Sequence, residues 1–234
     1  MPYNRVIAIG DSFTRGDELA DCPPQTEIDN CCSNLTWPAL LAKSLDATYQ
    51  SYSFGGAGNQ WISWQVATRI KQDTLYIVNW SWFERFDYVD IETDLWTTTH
   101  PHHEDKLNHY FYRNLDSDIW NLHRNLQQMH STISLLKQNN VDFIMTCLDT
   151  NYIANSNTIR PPDSIVFVNW TNAISNLQEQ VVPHIVDFEG MSFLEWSKHN
   201  SFELGPNGHP LEKAHIEAAK YINTIITKES QNEH

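Results

Sequence analysis

The stretch VIAIGDSFTRG, residues 6–16, sets the reading of the whole chain. An apolar, strand-like run stops at Gly10-Asp11-Ser12, so a serine sits where a strand hands over to the next element. Gly10 lets the backbone turn sharply there, and the amides at a helix entry point toward any bound anion. A hydroxyl so placed can attack a carbonyl while nearby amides hold the developing oxyanion. Helix capping is the competing reading, because Ser and Asp fill that role routinely. On these three residues alone, capping is favoured.

Outward from this stretch, strand-like runs recur at 48–53 (TYQSYS), 75–80 (LYIVNW), 141–147 (VDFIMTC) and 184–188 (HIVDF), which with 5–9 makes five. Helical patterns separate them. TWPALLAKSL opens on Thr36 as an N-cap with Pro38 in its first turn. NQWISWQVATRIKQ follows a glycine-rich turn, and residues 165–180 read as helical. Residues 107–138 read as one long helix, since Phe111, Leu115, Ile119, Leu122, Leu126, Met129, Ile133 and Leu136 recur at steps of three and four. The last helix, LEKAHIEAAKYINTII, starts directly after Pro210.

Strands alternating with helices predict parallel pairing through crossovers, hence one α/β domain over residues 1–234: a three-layer α/β/α sandwich on a five-stranded parallel sheet. Sites on such sheets form outside the carboxyl ends of the strands. Ser12, the turn GGAGN (55–59) and the segment NWSWFER (79–85) each follow such an end. Residues 81–106 are too long for a simple connection, and insertions of that kind often serve as lids or binding loops.

Composition narrows the function. With 41% hydrophobic residues, the 234-residue chain can bury a substantial core. A net charge of −14 argues against nucleic acid or an anionic membrane as partner. No apolar run approaches the roughly 20 residues that span a bilayer. MPYNRVIAIGDS enters its first strand at once, without a basic region and apolar core before it, so the expected location is the cytoplasm. Cys22, Cys31, Cys32 and Cys147 lack zinc-type spacing and read as free thiols, a disulfide being the alternative.

Two further segments bear chemistry. In SFGGAGNQ (53–60), Gly56 and its neighbours allow close backbone approach and Asn59 offers an amide, which suits either a second oxyanion donor or a tight strand-to-helix connection. In GPNGHPLEKAHIEAA, His209 stands in a loop fixed by Gly and Pro just before a helix, which suits a rigidly held base. His215, on the face shared with Leu211 and Ile222, reads as a buried packing or hydrogen-bonding histidine.

Together, GDSFTRG near the start, the glycine turn after the second strand and GHPLEKAH near the end resemble the SGNH (GDSL) hydrolase superfamily in order and spacing, over nearly the whole chain. In particular they resemble the compact, divergent members carried by tailed bacteriophages, where W-S and a following arginine replace the usual third block. The resemblance implies a flavodoxin-like sheet. It assigns Ser12 as the nucleophile with its own amide as first oxyanion donor, Gly56 as second donor, and His209 as the general base. The implied activity is ester hydrolysis through an acyl-enzyme on Ser12, without metal or organic cofactor, in the host-cell cytoplasm if phage-encoded.

Two departures from that pattern stand out. The third block, G-x-N-D in the family, is Asn79-Trp80-Ser81-Trp82 here, so the asparagine donor falls on Ser81. Arg85 could supply positive charge instead, or simply pair with Glu84 or Asp87. The family's aspartate, three residues before the histidine, is Pro206 here. Asn207 could orient His209, and Glu203, Glu195 or Asp187 could reach it from other loops. HPHHEDKLNH, with His100, His102, His103, Glu104 and His109, lacks regular ligand spacing and reads as a solvated loop rather than a metal site. Of Trp61, Trp64, Trp80, Trp82, Phe83 and Trp96, most read as core, and a few could form a platform for a sugar ring or acyl chain.

The expectation is a serine ester hydrolase that removes a small acyl group from a carbohydrate or related small metabolite. A lipase or thioesterase on longer chains, and a catalytically idle binding protein on the same fold, stay open beside it.

Overall fold

The computed structural model of the chain describes residues 3–24, 31–104, 106–150, 153 and 165–232. Its strands are β1 (Arg5–Ile9), β2 (Thr48–Ser51), β3 (Thr74–Trp80), β4 (Phe86–Val89), β5 (Trp96–Thr99) and β6 (Asp142–Cys147). Its helices are α1 (Ser12–Arg15), α2 (Trp37–Ser44), α3 (Asn59–Ala67), α4 (Lys106–Asn114), α5 (Asp118–Gln138), α6 (Ile165–Val181), α7 (Phe193–His199) and α8 (Glu212–Asn232).

One parallel sheet runs in the order β2-β1-β3-β6, and β4 and β5 form a separate antiparallel hairpin. Every residue of β3 is buried, as expected of a strand covered on both faces. Side chains alternate across it. Ile7, Ile9, Tyr76, Val78 and Met145 pack with Ile62 and Val66 of α3 and with Leu122, Leu126 and Met129 of α5. Val6, Ala8, Leu75, Ile77 and Ile144 face the other way, onto Leu41 of α2, Phe193 and Trp196 of α7, and Ala214, Ala218 and Ile222 of α8. The sheet is thus flanked by helices on both faces.

β1 lies between β2 and β3, so the chain leaves β1 to one side and returns to the other. That reversal opens a crevice at the carboxyl ends of β1 and β3, between the loops that follow them. Ser12 follows β1 and Ser81 follows β3.

Two elements differ from the sequence expectation. The fifth strand shrinks to a single parallel bridge, Ile185 to Met145, with the Val186 amide donating to the Met145 carbonyl at 2.7 Å. A 3-10 turn over Val182–His184 precedes it, and the Asp187 carboxylate accepts from the Gly190 amide at 2.7 Å to turn the chain away. The sheet therefore has four strands. The long helix over 107–138 is two helices. Ser117 is extended and its hydroxyl accepts from the Trp120 amide at 3.3 Å, starting α5 afresh, while the Leu115 and Asp116 amides close α4 on the Phe111 carbonyl. The apolar steps run in register across the break, which hides it from periodicity.

Candidate active site

α1 is a single turn whose N-cap is Asp11: its Oδ1 accepts from the Phe13 amide at 3.1 Å. This seats Ser12 at the helix entry, 6% exposed, with its hydroxyl toward the chain's last loop. There His209 Nε2 stands 2.9 Å from Ser12 Oγ. The loop that carries His209 is tied by the Gly205 amide on the His209 carbonyl at 2.8 Å and by a bridge between Leu204 and Pro210. The Phe13 ring meets the imidazole edge-on at 5.0 Å. Ser12 and His209, 197 residues apart, meet in one place.

Behind the imidazole stands Glu18. Its Oε2 lies 2.8 Å from His209 Nδ1 and accepts the His209 amide at 3.2 Å. Its Oε1 accepts from the Asn207 amide at 2.8 Å and from Asn207 Nδ2 at 3.1 Å. Partial burial works to raise the Glu18 pKa, but the Asn207 and His209 hydrogen bonds outweigh it and hold the carboxyl below its ordinary value of 4.5. A Cβ at Gly205 would lie 2.6 Å from the Glu18 carboxyl carbon, so only glycine admits the carboxylate here. Glu18 has φ +71°, a left-handed turn just past the end of α1.

The sequence reading did not name Glu18. Pro206 occupies the usual place of the acid, and Glu18 reaches the histidine from just past the serine instead. Of the sequence candidates, Glu195 closes the capping box of α7 with Ser192 and Asp187 caps its own turn. Asn207 orients the carboxylate rather than the imidazole.

On the other side of Ser12 lies a polar cluster. Asp11 Oδ2 accepts from Ser81 Oγ at 2.8 Å and from Arg85 Nη1 at 3.1 Å. Arg85 Nη1 also donates to the Ala57 carbonyl at 2.9 Å and to Ser81 Oγ at 2.5 Å. Asn79 Nδ2 reaches Asp11 Oδ1 at 3.4 Å, while its Oδ1 accepts from Thr146 Oγ1 at 2.7 Å. Arg85 thus pairs with Asp11 rather than Glu84 or Asp87. Asp11 is completely buried, so this partner matters.

Two expected oxyanion donors are otherwise engaged. The Ser81 hydroxyl is fully buried and given to Asp11. The Asn59 amide clamps the Ser81 backbone, accepting its N–H at 2.7 Å and donating to its carbonyl at 3.1 Å, and also donates to Asn125 Oδ1 at 2.7 Å. Asn59 fixes the loop after β3 and has no donor left to offer. By contrast, the amides of Ser12 and Gly56 meet no protein acceptor among the described residues. Gly56 has φ +85°, the left-handed region that favours glycine.

The 81–106 insertion is bolted onto this glycine turn. The buried Asp87 carboxylate accepts the Gly58 amide at 3.0 Å, the Trp61 amide at 2.9 Å and Thr98 Oγ1 at 2.5 Å. His100 closes over Gly56.

No known protein-family profile matches the sequence, and no curated protein is similar to it. Solved structures are. A carbohydrate esterase family 2 enzyme with a carbohydrate-binding domain, from Corynascus thermopiles (Myceliophthora fergusii), superposes with a TM-score of 0.52 at 16% identity, over 97% of this chain and 66% of that one. A second carbohydrate esterase, described as having divergent catalytic and non-catalytic binding functions, gives 0.50 at 13% identity, over 97% and 69%. The psychrotrophic esterase EstA of Pseudoalteromonas gives 0.48 at 11%, over 97% and 99%. The chain shares its fold with these first two structures.

The remaining candidates are structural. His215 Nδ1 accepts the Trp37 amide at 3.0 Å, and burial, together with the nearby His209, pushes its pKa down to about 3 against a hydrogen bond to the Pro210 backbone. Trp61, Trp80 and Phe83 are core, whereas Trp64 is 42% exposed and rests on Trp96 at 5.6 Å. All four cysteines are free thiols. Among the described residues no three His, Cys, Asp or Glu side chains converge as a metal set, and no helix is long and apolar enough to cross a membrane.

Proposed function

We propose that the protein is a serine ester hydrolase that removes a small acyl group from a carbohydrate or related metabolite. What supports this reading is one observation: the unbroken chain Ser12 Oγ, His209, Glu18, with contacts of 2.9 and 2.8 Å. In the mechanism, His209 Nε2 takes the Ser12 proton as Oγ bonds to the ester carbonyl carbon. The amides of Ser12 and Gly56 hold the oxyanion. His209 then gives its proton to the departing alkoxide, leaving an acyl group on Ser12. A water, deprotonated by the same imidazole, hydrolyses the acyl-enzyme. Glu18 fixes the imidazole's orientation and stabilises the imidazolium.

Glu18 removes the motive for an idle protein, since the carboxylate missing at Pro206 arrives from elsewhere. Four free thiols suit a cytoplasmic setting. A second reading, hydrolysis of longer acyl esters, draws on an apolar cavity of about 780 Å³ lined by Phe86, Tyr88, Phe111, Leu115 and Trp120.

The test is turnover of p-nitrophenyl acetate by the protein and by Ser12→Ala. Loss in the variant is expected, and equal turnover by both would overturn the reading. A series of p-nitrophenyl esters of rising chain length separates the acetyl preference expected here from the longer-chain alternative.

A further inference from the structure

His100 lies in the insertion, beyond every block that the sequence resemblance covers, yet its ring closes directly over the Gly56 turn. An ideal Cβ at Gly56 would sit 3.3 Å from His100 Nε2 and 3.5 Å from Cε1. A side chain at position 56 would therefore press on the imidazole. The ring is half-buried and rests on His103, with centroids 4.5 Å apart. Neither of its nitrogens hydrogen-bonds to any described residue.

Such a nitrogen invites a ligand. Meanwhile the two side chains expected to donate are engaged elsewhere: the Ser81 hydroxyl with Asp11 and the Asn59 amide with Ser81 and Asn125. The backbone amides of Ser12 and Gly56 meet no acceptor among the described residues and are left to meet developing charge. His100 presents its Nε2 edge to Gly56, the residue that carries one of them.

Resting on the hydrolase reading above, we propose that His100 is a further catalytic residue, donating its Nε2–H to the substrate's carbonyl oxygen beside the Gly56 amide as that oxygen becomes an oxyanion. No bond to His100 forms or breaks, and no proton leaves it. It does the work that an asparagine side chain would do after β3. Burial, helped by the Arg85 cation and the His103 and His102 rings, pushes its pKa down to about 4, so at neutral pH the ring is an uncharged donor. Neutral donors aimed at an oxyanion are effective because they need no reorganisation when the charge appears.

The experiment compares His100→Phe, His100→Ala and His100→Gln on p-nitrophenyl acetate, with Ser12→Ala in parallel. Phe keeps the ring without a nitrogen, Ala leaves space, and Gln carries an N–H near the Nε2 position. Removing one oxyanion donor costs on the order of 10²–10³ in kcat. Phe and Ala are therefore expected to lose about 10²-fold, with Gln within about tenfold of the parent. Labelling of Ser12 by a fluorophosphonate, whose phosphoryl oxygen uses the same donors, should slow in the same rank order.

If Gln falls as far as Ala, or if Ala and Phe keep full activity, the role of His100 is refuted while the hydrolase reading stands. If Ser12→Ala turns over substrate like the parent, the hydrolase reading falls and this role with it. Should Phe fail to fold, the contrast between Ala and Gln decides alone.

Discussion

The Glu18 carboxylate reaches His209 from only six residues beyond the serine that His209 faces, and it holds three N–H donors of the 207–209 loop besides the imidazole. Ser12 and Glu18 thus share one short segment, GDSFTRGDE, and His209 comes to them from the other end of the chain. The turn after α1 does double duty: it ends the helix and, through a left-handed Glu18, aims a carboxylate back across the histidine loop.

From this contact follows the first prediction. Glu18→Gln keeps the shape but removes the charge that stabilises the imidazolium, and lets the imidazole adopt the wrong tautomer. Neutralising the corresponding carboxylate costs about 10⁴ in kcat in serine proteases. Here a fall of about 10³-fold or more in kcat on p-nitrophenyl acetate is expected, with KM little changed. A loss below tenfold would remove Glu18 from the mechanism.

Acid should destabilise the fold through two groups of opposite charge type. Glu18 has its native pKa below the ordinary 4.5, so its contribution is complete above that value and is lost as pH falls through the native one. His215 is held neutral down to about 3 against an ordinary 6.5, so the unfolded chain takes up its proton first and stability falls as pH drops from 6.5 toward 3. One proton of difference is worth about 1.4 kcal/mol per pH unit. His215→Leu loses the bond to Trp37 and is less stable at pH 7. Its stability should nevertheless decline less steeply between pH 6 and 4, by up to that slope, in urea unfolding. Parallel curves for parent and variant would contradict the burial argument.

Arg85→Met should cost stability, because it leaves the fully buried Asp11 without its cation. Breaking a buried pair by removing one partner typically costs about 3–5 kcal/mol, and Arg85 is slightly exposed, so about 3 kcal/mol is expected. Asp11→Asn in the same chain should return part of that loss, since the two side chains act as one unit. Unfolding midpoints of the two single variants and the double variant read this directly; strict additivity would mean that the pair is not coupled.

Much of this architecture was legible in the sequence, and what was not has specific causes. The apolar run LYIVNW and the alternation of strand-like runs with helical patterns point to a parallel sheet between helices, as observed. HIVDF carries the same composition as a strand, but Pro183 and the Asp187 turn leave it one bridge. Ser117 interrupts an apolar stripe that continues unbroken past it. In the site, Ser12, His209 and Gly56 lay in recognisable turns. Glu18 did not, since a carboxylate in a charged surface-like run, GDELAD, looks like any solvated residue until the histidine loop folds onto it. Asn59 and Ser81 were legible as polar groups near a strand end, and only the three-dimensional partners show that they bond to the scaffold.

Gly205 offers the sharpest test of how Glu18 is held. Its backbone is not left-handed, so alanine there brings no strain of φ, but the added Cβ would lie 2.6 Å from the Glu18 carboxyl carbon. The carboxylate must retreat from His209 Nδ1. Gly205→Ala should therefore lower kcat at least tenfold, while costing far less stability than a core truncation of about 2–5 kcal/mol. Because the defect runs through Glu18, adding Gly205→Ala to Glu18→Gln should cost little beyond Glu18→Gln alone. Multiplicative losses in the double variant would mean that Gly205 acts on the site by another route, and unchanged kcat in the single variant would mean that the carboxylate is not confined at all.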